Sequence, residues 1–198
     1  ANGKKIVYGL DTGSLVVRNI LTGRIEFGSY FPNTRVNSVS CYQNYVVVGT
    51  TKRAPNGDKS GTLTIWNVDT GMCVVERDQK STVECVAFSR DGTLVASGGS
   101  DRVVNVWTLM WALTKSNQSP FGGTPGMGFV KTKTLKNGHQ KNVMSVDFSP
   151  NGSLLVSGSM DCGVVLWCLN SMIALKRTKH EHAVTSVAFS QCGRFYLS

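Results

Sequence analysis

Short runs of alternating apolar and polar residues recur along the chain, each followed by a turn signal. In VMSVDF (143–148), Met144, Val146 and Phe148 face one way and the residues between them face the other. Alternation of this kind is typical of a half-buried β-strand. Asp91-Gly92 and Asn151-Gly152 follow two such runs at matching places and favour tight hairpin turns. The pattern predicts an all-β protein built from antiparallel hairpins.

The runs repeat with a fixed period. The segment VECVAFSRDGTLVASGGSDRVVNVW (83–107) aligns without a gap with VMSVDFSPNGSLLVSGSMDCGVVLW (143–167), and AVTSVAFSQCGRFYLS (183–198) begins a further copy. Where nothing is inserted, the period is 41 residues. Each period holds three short strands and a looser fourth strand such as IALKRTK (173–179). Four antiparallel strands in about 40 residues are typical of a β-propeller blade.

Two insertions lengthen individual repeats. Six residues are added around TKRAPNGDKSG, and 19 are added within MWALTKSNQSPFGGTPGMGF (110–129). Propellers have about four to eight blades, and an unclosed ring would leave unpaired edge strands. We therefore expect either that the chain is a fragment of a longer protein or that another chain supplies the missing blades. We predict about four and a half blades: an incomplete blade at 1–30, blades at 31–78, 79–137 (with the insertion 110–129) and 138–179, and a truncated blade at 180–198.

The best-preserved repeat carries a family resemblance. Its Gly-His at 138–139, its S-x-x-x-D motif at Ser157 and Asp161, and Trp167 at the end of its third strand resemble the WD-repeat family of β-propellers. The resemblance covers essentially the whole chain, is weaker before residue 60, and implies a seven-bladed ring. The residue after each tryptophan departs from the family pattern, which has Asp there: Asn67, Thr108 and Cys168.

His139, Ser157 and Asp161 allow two interpretations, a Ser-His-Asp nucleophile or a structural hydrogen-bond chain. A nucleophilic serine needs an exposed, strained turn beside an oxyanion hole, whereas Ser157 lies within the alternating run LLVSGS. The WD-repeat resemblance implies that these residues join Trp167 in a hydrogen-bonded chain inside one blade. We therefore predict a structural role and no enzymatic activity. The same role is predicted for the matching residues of neighbouring repeats: Ser97, Asp101, Trp107, His180 and Ser198.

Charge and cysteine content bear on partners and location. The net charge is +9, and residues 115–179 hold eight lysines and arginines against Asp147 and Asp161. Such a field favours acidic partners, including nucleic acid through residues 131–141. Six cysteines stand singly without zinc-site spacing, which is typical of free thiols in a reducing compartment. We expect an intracellular protein, nuclear or cytoplasmic, with no cofactor, metal, membrane or small-molecule substrate.

Function is then expected in loops and faces. The leading hypothesis is a protein-interaction scaffold, a subunit of a larger intracellular complex. The Ser/Pro/Gly-rich insertion ahead of a Gly-His also resembles the Groucho-like fungal general transcription corepressors, which implies transcriptional corepression. The alternative is a ribonucleoprotein or chromatin subunit that contacts nucleic-acid phosphates through its basic face. The predicted partner-binding residues are basic on one face and aromatic in the insertion on the other: Lys52, Arg53, Lys80, Arg102, Lys141, Trp111, Phe121 and Phe129.

Overall fold

The computed structural model describes residues 4–111 and 127–198, and these form five antiparallel sheets that follow one another along the chain. The part of the chain so described contains 17 strands and no helix. We number the sheets blade 1 to blade 5. Blade 1 has three strands, and blade 5 has two: β1 (Lys5–Gly9), β2 (Ser14–Asn19), β3 (Ile25–Tyr30), and then β16 (Ala188–Phe189) and β17 (Tyr196–Leu197).

Blades 2, 3 and 4 are four-stranded sheets in which each strand pairs with the next one along the chain. Blade 2 consists of β4 (Thr34–Tyr42), β5 (Tyr45–Arg53), β6 (Lys59–Asn67) and β7 (Met72–Gln79). Blade 3 consists of β8 (Val83–Phe88), β9 (Leu94–Gly99), β10 (Val104–Trp111) and β11 (Met127–Leu135). Blade 4 consists of β12 (Val143–Phe148), β13 (Leu154–Ser159), β14 (Gly163–Cys168) and β15 (Ile173–Lys179). These sheets are the blades of a β-propeller, as the period predicted.

Each pair of neighbouring blades encloses an apolar cluster, because alternate residues of a strand point to opposite faces of its sheet. Val165 and Trp167 of β14 pack toward blade 3, whereas the alternate residues Val164 and Leu166 pack toward blade 5. Each fully buried valine or leucine contributes roughly 1.5–3 kcal/mol through the loss of water-exposed apolar surface. Because of the predicted period-two alternation, one strand packs against both neighbouring blades.

The first strands of blades 2 to 5 lie side by side and are joined by side chains. Ser38 Oγ accepts a hydrogen bond from the backbone N–H of Val86 in the next blade, at 3.1 Å. Ser145 Oγ accepts one from the N–H of Val187, at 3.0 Å, in the same way. Cys85 holds the equivalent position in blade 3; it is buried, and burial raises the pKa of its thiol. The contact between blades 3 and 4 is thus more apolar than its neighbours.

Both insertions lengthen hairpins. In blade 2, β5 and β6 remain paired up to Arg53 opposite Lys59, so the six added residues extend this hairpin. In blade 3, β10 and β11 pair as far as Trp111 opposite Met127. The segment predicted as an insertion from 110 to 129 therefore begins and ends as strand, since continued backbone pairing satisfies the polar groups at both ends. Its centre lies outside the described residues.

Candidate functional site

One buried chain of hydrogen bonds connects four side chains of blade 4. The Trp167 indole N–H donates to Ser157 Oγ at 2.8 Å, and Ser157 Oγ lies 2.7 Å from His139 Nε2. His139 Nδ1 lies 3.3 Å from Asp161 Oδ2. The carboxylate can only accept, so His139 Nδ1 carries the proton and Nε2 accepts the Ser157 hydroxyl. The four groups are satisfied in a single direction, from indole to carboxylate.

The charges of this chain follow from its surroundings. Burial lowers the pKa of His139, and this effect outweighs the nearby Asp161 carboxylate, which acts in the opposite direction. Burial acts to raise the pKa of Asp161, but the backbone N–H groups of Gln140 and Gly163 donate to it at 2.6 and 2.8 Å and hold that pKa below its usual value. A neutral imidazole therefore bridges a buried hydroxyl and a charged carboxylate.

The position of Ser157 decides what this arrangement can do chemically. Ser157 is 0% exposed in the middle of β13, and its hydroxyl already contacts both His139 and Trp167. A nucleophile must reach a substrate carbonyl beside an oxyanion hole. The geometry is that of a structural clamp between the loop before β12 and the turn after β13.

Gly138 shows why a glycine precedes the histidine. A Cβ atom at this position would lie 2.3 Å from Cζ2 of the Trp167 ring. The indole therefore packs directly on the backbone of the Gly-His pair. Only a residue without a side chain allows Trp167 and His139 to occupy their places at the same time.

Blade 3 forms only part of the chain. Trp107 donates to Ser97 Oγ at 2.9 Å, as in blade 4. Gln79 stands where blade 4 has His139, and Asp101 is exposed and accepts a long bond of 3.4 Å from the N–H of Val103. Among the described residues, no bond links Asp101 to Ser97 or Gln79. The prediction that Asp101 belongs to this chain is therefore wrong for the structure, because the bridging imidazole is missing.

Blades 2 and 5 each form a different part of this hydrogen-bond pattern. In blade 2, Val48 occupies the serine position, and Trp66 donates instead to Thr64 Oγ1 at 3.0 Å on its own strand. In blade 5, Ser198 Oγ lies 2.9 Å from His180 Nε2, and both residues are exposed. The indole N–H of the half-buried Trp66 takes Thr64 as its acceptor in place of the absent serine. Sequence alignment alone missed this replacement.

An open cleft of about 860 Å³ lies beside the lengthened β5–β6 hairpin. We call it the hairpin cleft. Asn37 stiffens its floor, because Asn37 Nδ2 donates both to Thr51 Oγ1 at 2.7 Å and to the carbonyl of Val83 at 2.8 Å. Its charged lining comprises three cations and two carboxylates: Arg35, Arg53, Lys59, Asp11 and Glu84. The cleft presents charged and polar groups to solvent.

The predicted partner-binding residues fall into three groups. Arg53 lines the hairpin cleft, and Lys52 is the preceding, exposed residue of β5. Lys80, Arg102 and Lys141 are also exposed, but they lie on other turns and loops of blades 3 and 4 and do not line this cleft. Trp111 lies in β10 and Phe129 lies in β11, but the structure does not describe their side chains. Phe121 lies outside the described residues.

Two further observations concern metal ligands and membrane-spanning helices. No group of three or more histidine, cysteine or acidic side chains that could hold a metal ion occurs within residues 4–111 and 127–198. Over the same residues, no helix has the length and apolar character to cross a membrane.

Comparison with known proteins agrees with the geometry. The model of the family "WD domain, G-beta repeat" matches residues 71–108 and 129–168. Each segment is similar to one repeat of that family. The unmatched stretch between them, 109–128, falls where the longer insertion lies. The hydrogen-bonded chain of blade 4 lies in the second matched segment, and the partial chain of blade 3 lies in the first.

Several relatives share part of their sequence with this chain. Protein hir1 of Aspergillus fumigatus is 29% identical over 124 residues, covering 61% of this chain and 12% of that protein. Protein HIRA of Takifugu rubripes is 30% identical over 129 residues, covering 56% of this chain and 12% of that protein. The probable cytosolic iron-sulfur protein assembly protein 1 of Cryptococcus neoformans is 33% identical over 111 residues, covering 48% of this chain and 25% of that protein. The chain thus spans a quarter or less of the length of these relatives.

Proposed function

We propose that this protein is a non-enzymatic interaction scaffold that docks an extended segment of a partner protein in the hairpin cleft. The observation that supports the proposal most directly is the lengthened β5–β6 hairpin. Arg53 and Lys59, paired across it, line an open cleft of about 860 Å³. An insertion that builds a cleft wall on a rigid sheet is a common way for a scaffold fold to acquire a binding site.

The surroundings of the cleft favour a protein partner. Its lining combines cations, carboxylates and amides, with Asn37 tied down on both sides and Thr82 Oγ1 donating to Glu84 Oε1 at 2.6 Å. Such a rigid, mixed surface suits the polar backbone and alternating side chains of a peptide. In this proposal the buried His139 chain supplies rigidity and has no contact with the partner.

We further propose that the protein acts within a larger intracellular complex, in the nucleus or the cytoplasm. The WD repeats support this role, and the relative named as an iron-sulfur protein assembly protein is by its name a cytosolic assembly factor. Transcriptional corepression is the specific process we propose, on the resemblance of the insertion and the following Gly-His to the Groucho-like class. A docking role for Trp111, Phe121 and Phe129 belongs to the same proposal.

Crosslinking followed by affinity capture and mass spectrometry from native extract tests the proposal. The test variant carries Arg53→Glu and Lys59→Glu. The control carries Arg24→Glu and Arg90→Glu, two exposed cations outside the cleft lining, and so has the same net charge. We expect the test variant to lose a defined set of crosslinked proteins that the control retains. Identical capture by both variants, or capture that nuclease releases, would contradict a protein-docking cleft.

A further inference from the structure

A second set of cations converges on the groove between blades 3 and 4. In β11, Lys133 pairs with Val106 and shares the face that packs toward blade 4. In β15, Arg177 and Lys179 pair with Val165 and Gly163, on the face of blade 4 that packs toward blade 3. Because directly paired residues point to the same side of a sheet, these cations face one another across the groove.

Two more cations lie at the end of the groove nearest the β9–β10 turn. A cavity of about 540 Å³ lies between the β9–β10 turn and the segment after β11, and Arg102 and Lys136 line it. We call Arg102, Lys133, Lys136, Arg177 and Lys179 together the basic groove. All five side chains belong to exposed residues, and within the described residues none of the five forms an ion pair.

Few negative charges offset the basic groove. Asp101 lines the cavity at its end, and Asp161 lies nearby. The Asp161 carboxylate is already engaged by His139 and by the N–H groups of Gln140 and Gly163. Among the described residues that line the cavity, two cations face one exposed carboxylate, and the three strand cations add to this positive charge, so the groove attracts negative charge.

One member of the groove is held in place by the fold. Arg177 Nη2 donates to the backbone carbonyl of Asn137 at 2.7 Å, across the boundary between the blades. A guanidinium has five N–H donors, so this bond orients the group and leaves other donors for a ligand. A preoriented arginine binds a carboxylate with less loss of side-chain freedom than a mobile one.

We infer that the basic groove binds an acidic, extended peptide segment of a partner protein. Arg177 and Lys179 are two residues apart on one strand, so their side chains repeat with the spacing of alternate residues in an extended chain, about 6–7 Å. Acidic side chains at alternate positions of a peptide lying along the groove match this spacing. Single-stranded nucleic acid is disfavoured, because such sites combine cations with aromatic side chains that stack on bases, and among the described residues no Phe, Tyr or Trp lines the cavity at the end of the groove.

This inference deepens the proposed function and rests on it, but it concerns a different surface from the hairpin cleft. Fluorescence anisotropy of a labelled peptide of alternating Glu and Ser tests it, with the full-length protein at about 50 mM salt, where screening is weak. The test variant carries Lys133→Glu and Lys179→Glu, which break no hydrogen bond shown among the described residues. The control carries Lys176→Glu and Arg24→Glu and so has the same net charge. Lys176 pairs with Leu166 and lies on the other face of β15, away from the groove.

We expect the test variant to bind the acidic peptide at least about tenfold more weakly than the wild type, while the control stays within about twofold. Equal losses in both variants would mean that net charge alone attracts the peptide, and would overturn the groove. Absence of binding to the wild type would overturn it as well, and so would tighter binding of a labelled oligo-dT at the same salt. If the groove fails while Arg53→Glu and Lys59→Glu still release crosslinked partners, the scaffold function stands without this surface.

Discussion

Replacing Ser157 by alanine separates a structural hydrogen-bond chain from a catalytic one. The substitution removes the hydroxyl that contacts both the Trp167 indole and the His139 imidazole, two groups that are 2% and 8% exposed. Each hydrogen bond contributes about 0.5–1.5 kcal/mol net, and a buried donor left without a partner adds to the cost. We therefore expect the free energy of unfolding to fall by about 1–3 kcal/mol.

Thermal melting and chemical denaturation measure this loss. For a domain of about this size, 1 kcal/mol lowers Tm by roughly 2–4 °C. Ser198→Ala is the matched control, because it removes the same hydroxyl–imidazole contact, with His180, at an exposed site; we expect it to cost less than about 0.5 kcal/mol. A Ser157→Ala protein as stable as the Ser198→Ala protein would refute the clamp.

A double-mutant cycle identifies the partner responsible for the loss. Trp167→Phe removes the indole donor and keeps an aromatic ring in the cluster between blades 3 and 4. In that background Ser157→Ala has one unsatisfied donor fewer, so we expect it to cost less than in the wild type. Equal costs in both backgrounds would mean that the bond between Ser157 and Trp167 contributes nothing to stability.

Three further predictions concern neighbouring groups. Burial lowers the pKa of His139 in the folded state, so the unfolded state binds more protons, and the free energy of unfolding falls as the pH drops from about 6.5 toward the folded pKa. We expect His139→Gln to flatten this part of a plot of Tm against pH. An unchanged slope would contradict a buried neutral imidazole. Gly138→Ala places a Cβ against the Trp167 ring and should cost about 1–3 kcal/mol by thermal melting, whereas Gly28→Ala, whose Cβ would meet its nearest atom at 3.7 Å, should cost less than 1 kcal/mol. Cys162 has a φ of +68°, a backbone conformation that glycine adopts without strain. We therefore expect Cys162→Gly to raise the free energy of unfolding by roughly 0.5–1 kcal/mol in urea denaturation. A decrease in that free energy would show that contacts of the Cys162 side chain outweigh the relief of backbone strain.

The two proposed surfaces differ in how their charges are arranged. The hairpin cleft mixes cations with carboxylates, which favours a partner of matching polar pattern over one of a single charge sign. The basic groove concentrates cations and should show the stronger dependence on salt. Measuring both interactions over a range of salt concentrations therefore distinguishes the two surfaces, even if one partner occupies both.

The repeat pattern in the sequence was sufficient to predict the blades. Strand alternation, Asp-Gly and Asn-Gly turns and the distance from Phe148 to Trp167 are local properties, and local geometry decides how a strand and a hairpin form. The structure places Gly92 and Gly152 in turns with φ of +70° and +69°. The lengths of the insertions were also readable, although the sequence did not show that both lengthen strands, because pairing depends on the partner strand.

The composition of the hydrogen-bonded chains depended on the tertiary structure. Alignment correctly grouped His139, Ser157, Asp161 and Trp167, because blade 4 has every link of the hydrogen-bonded chain. It wrongly included Asp101, because a chain of hydrogen bonds fails when one link is replaced, and Gln79 replaces the histidine of blade 3. It also could not show that Thr64 would satisfy the indole of blade 2, because that bond depends on where the Trp66 side chain points.

The period, the strands and the net charge could be predicted from the residues alone, since each is a property of neighbouring residues or of composition. Which cations face the same groove depends on how the blades pack against one another. Lys133 and Arg177 are far apart in the chain but face the same groove, because their strands present them on facing sides of adjacent blades. Electrostatic attraction depends on distance in space, so a basic composition becomes a binding surface only when the blades bring those charges together.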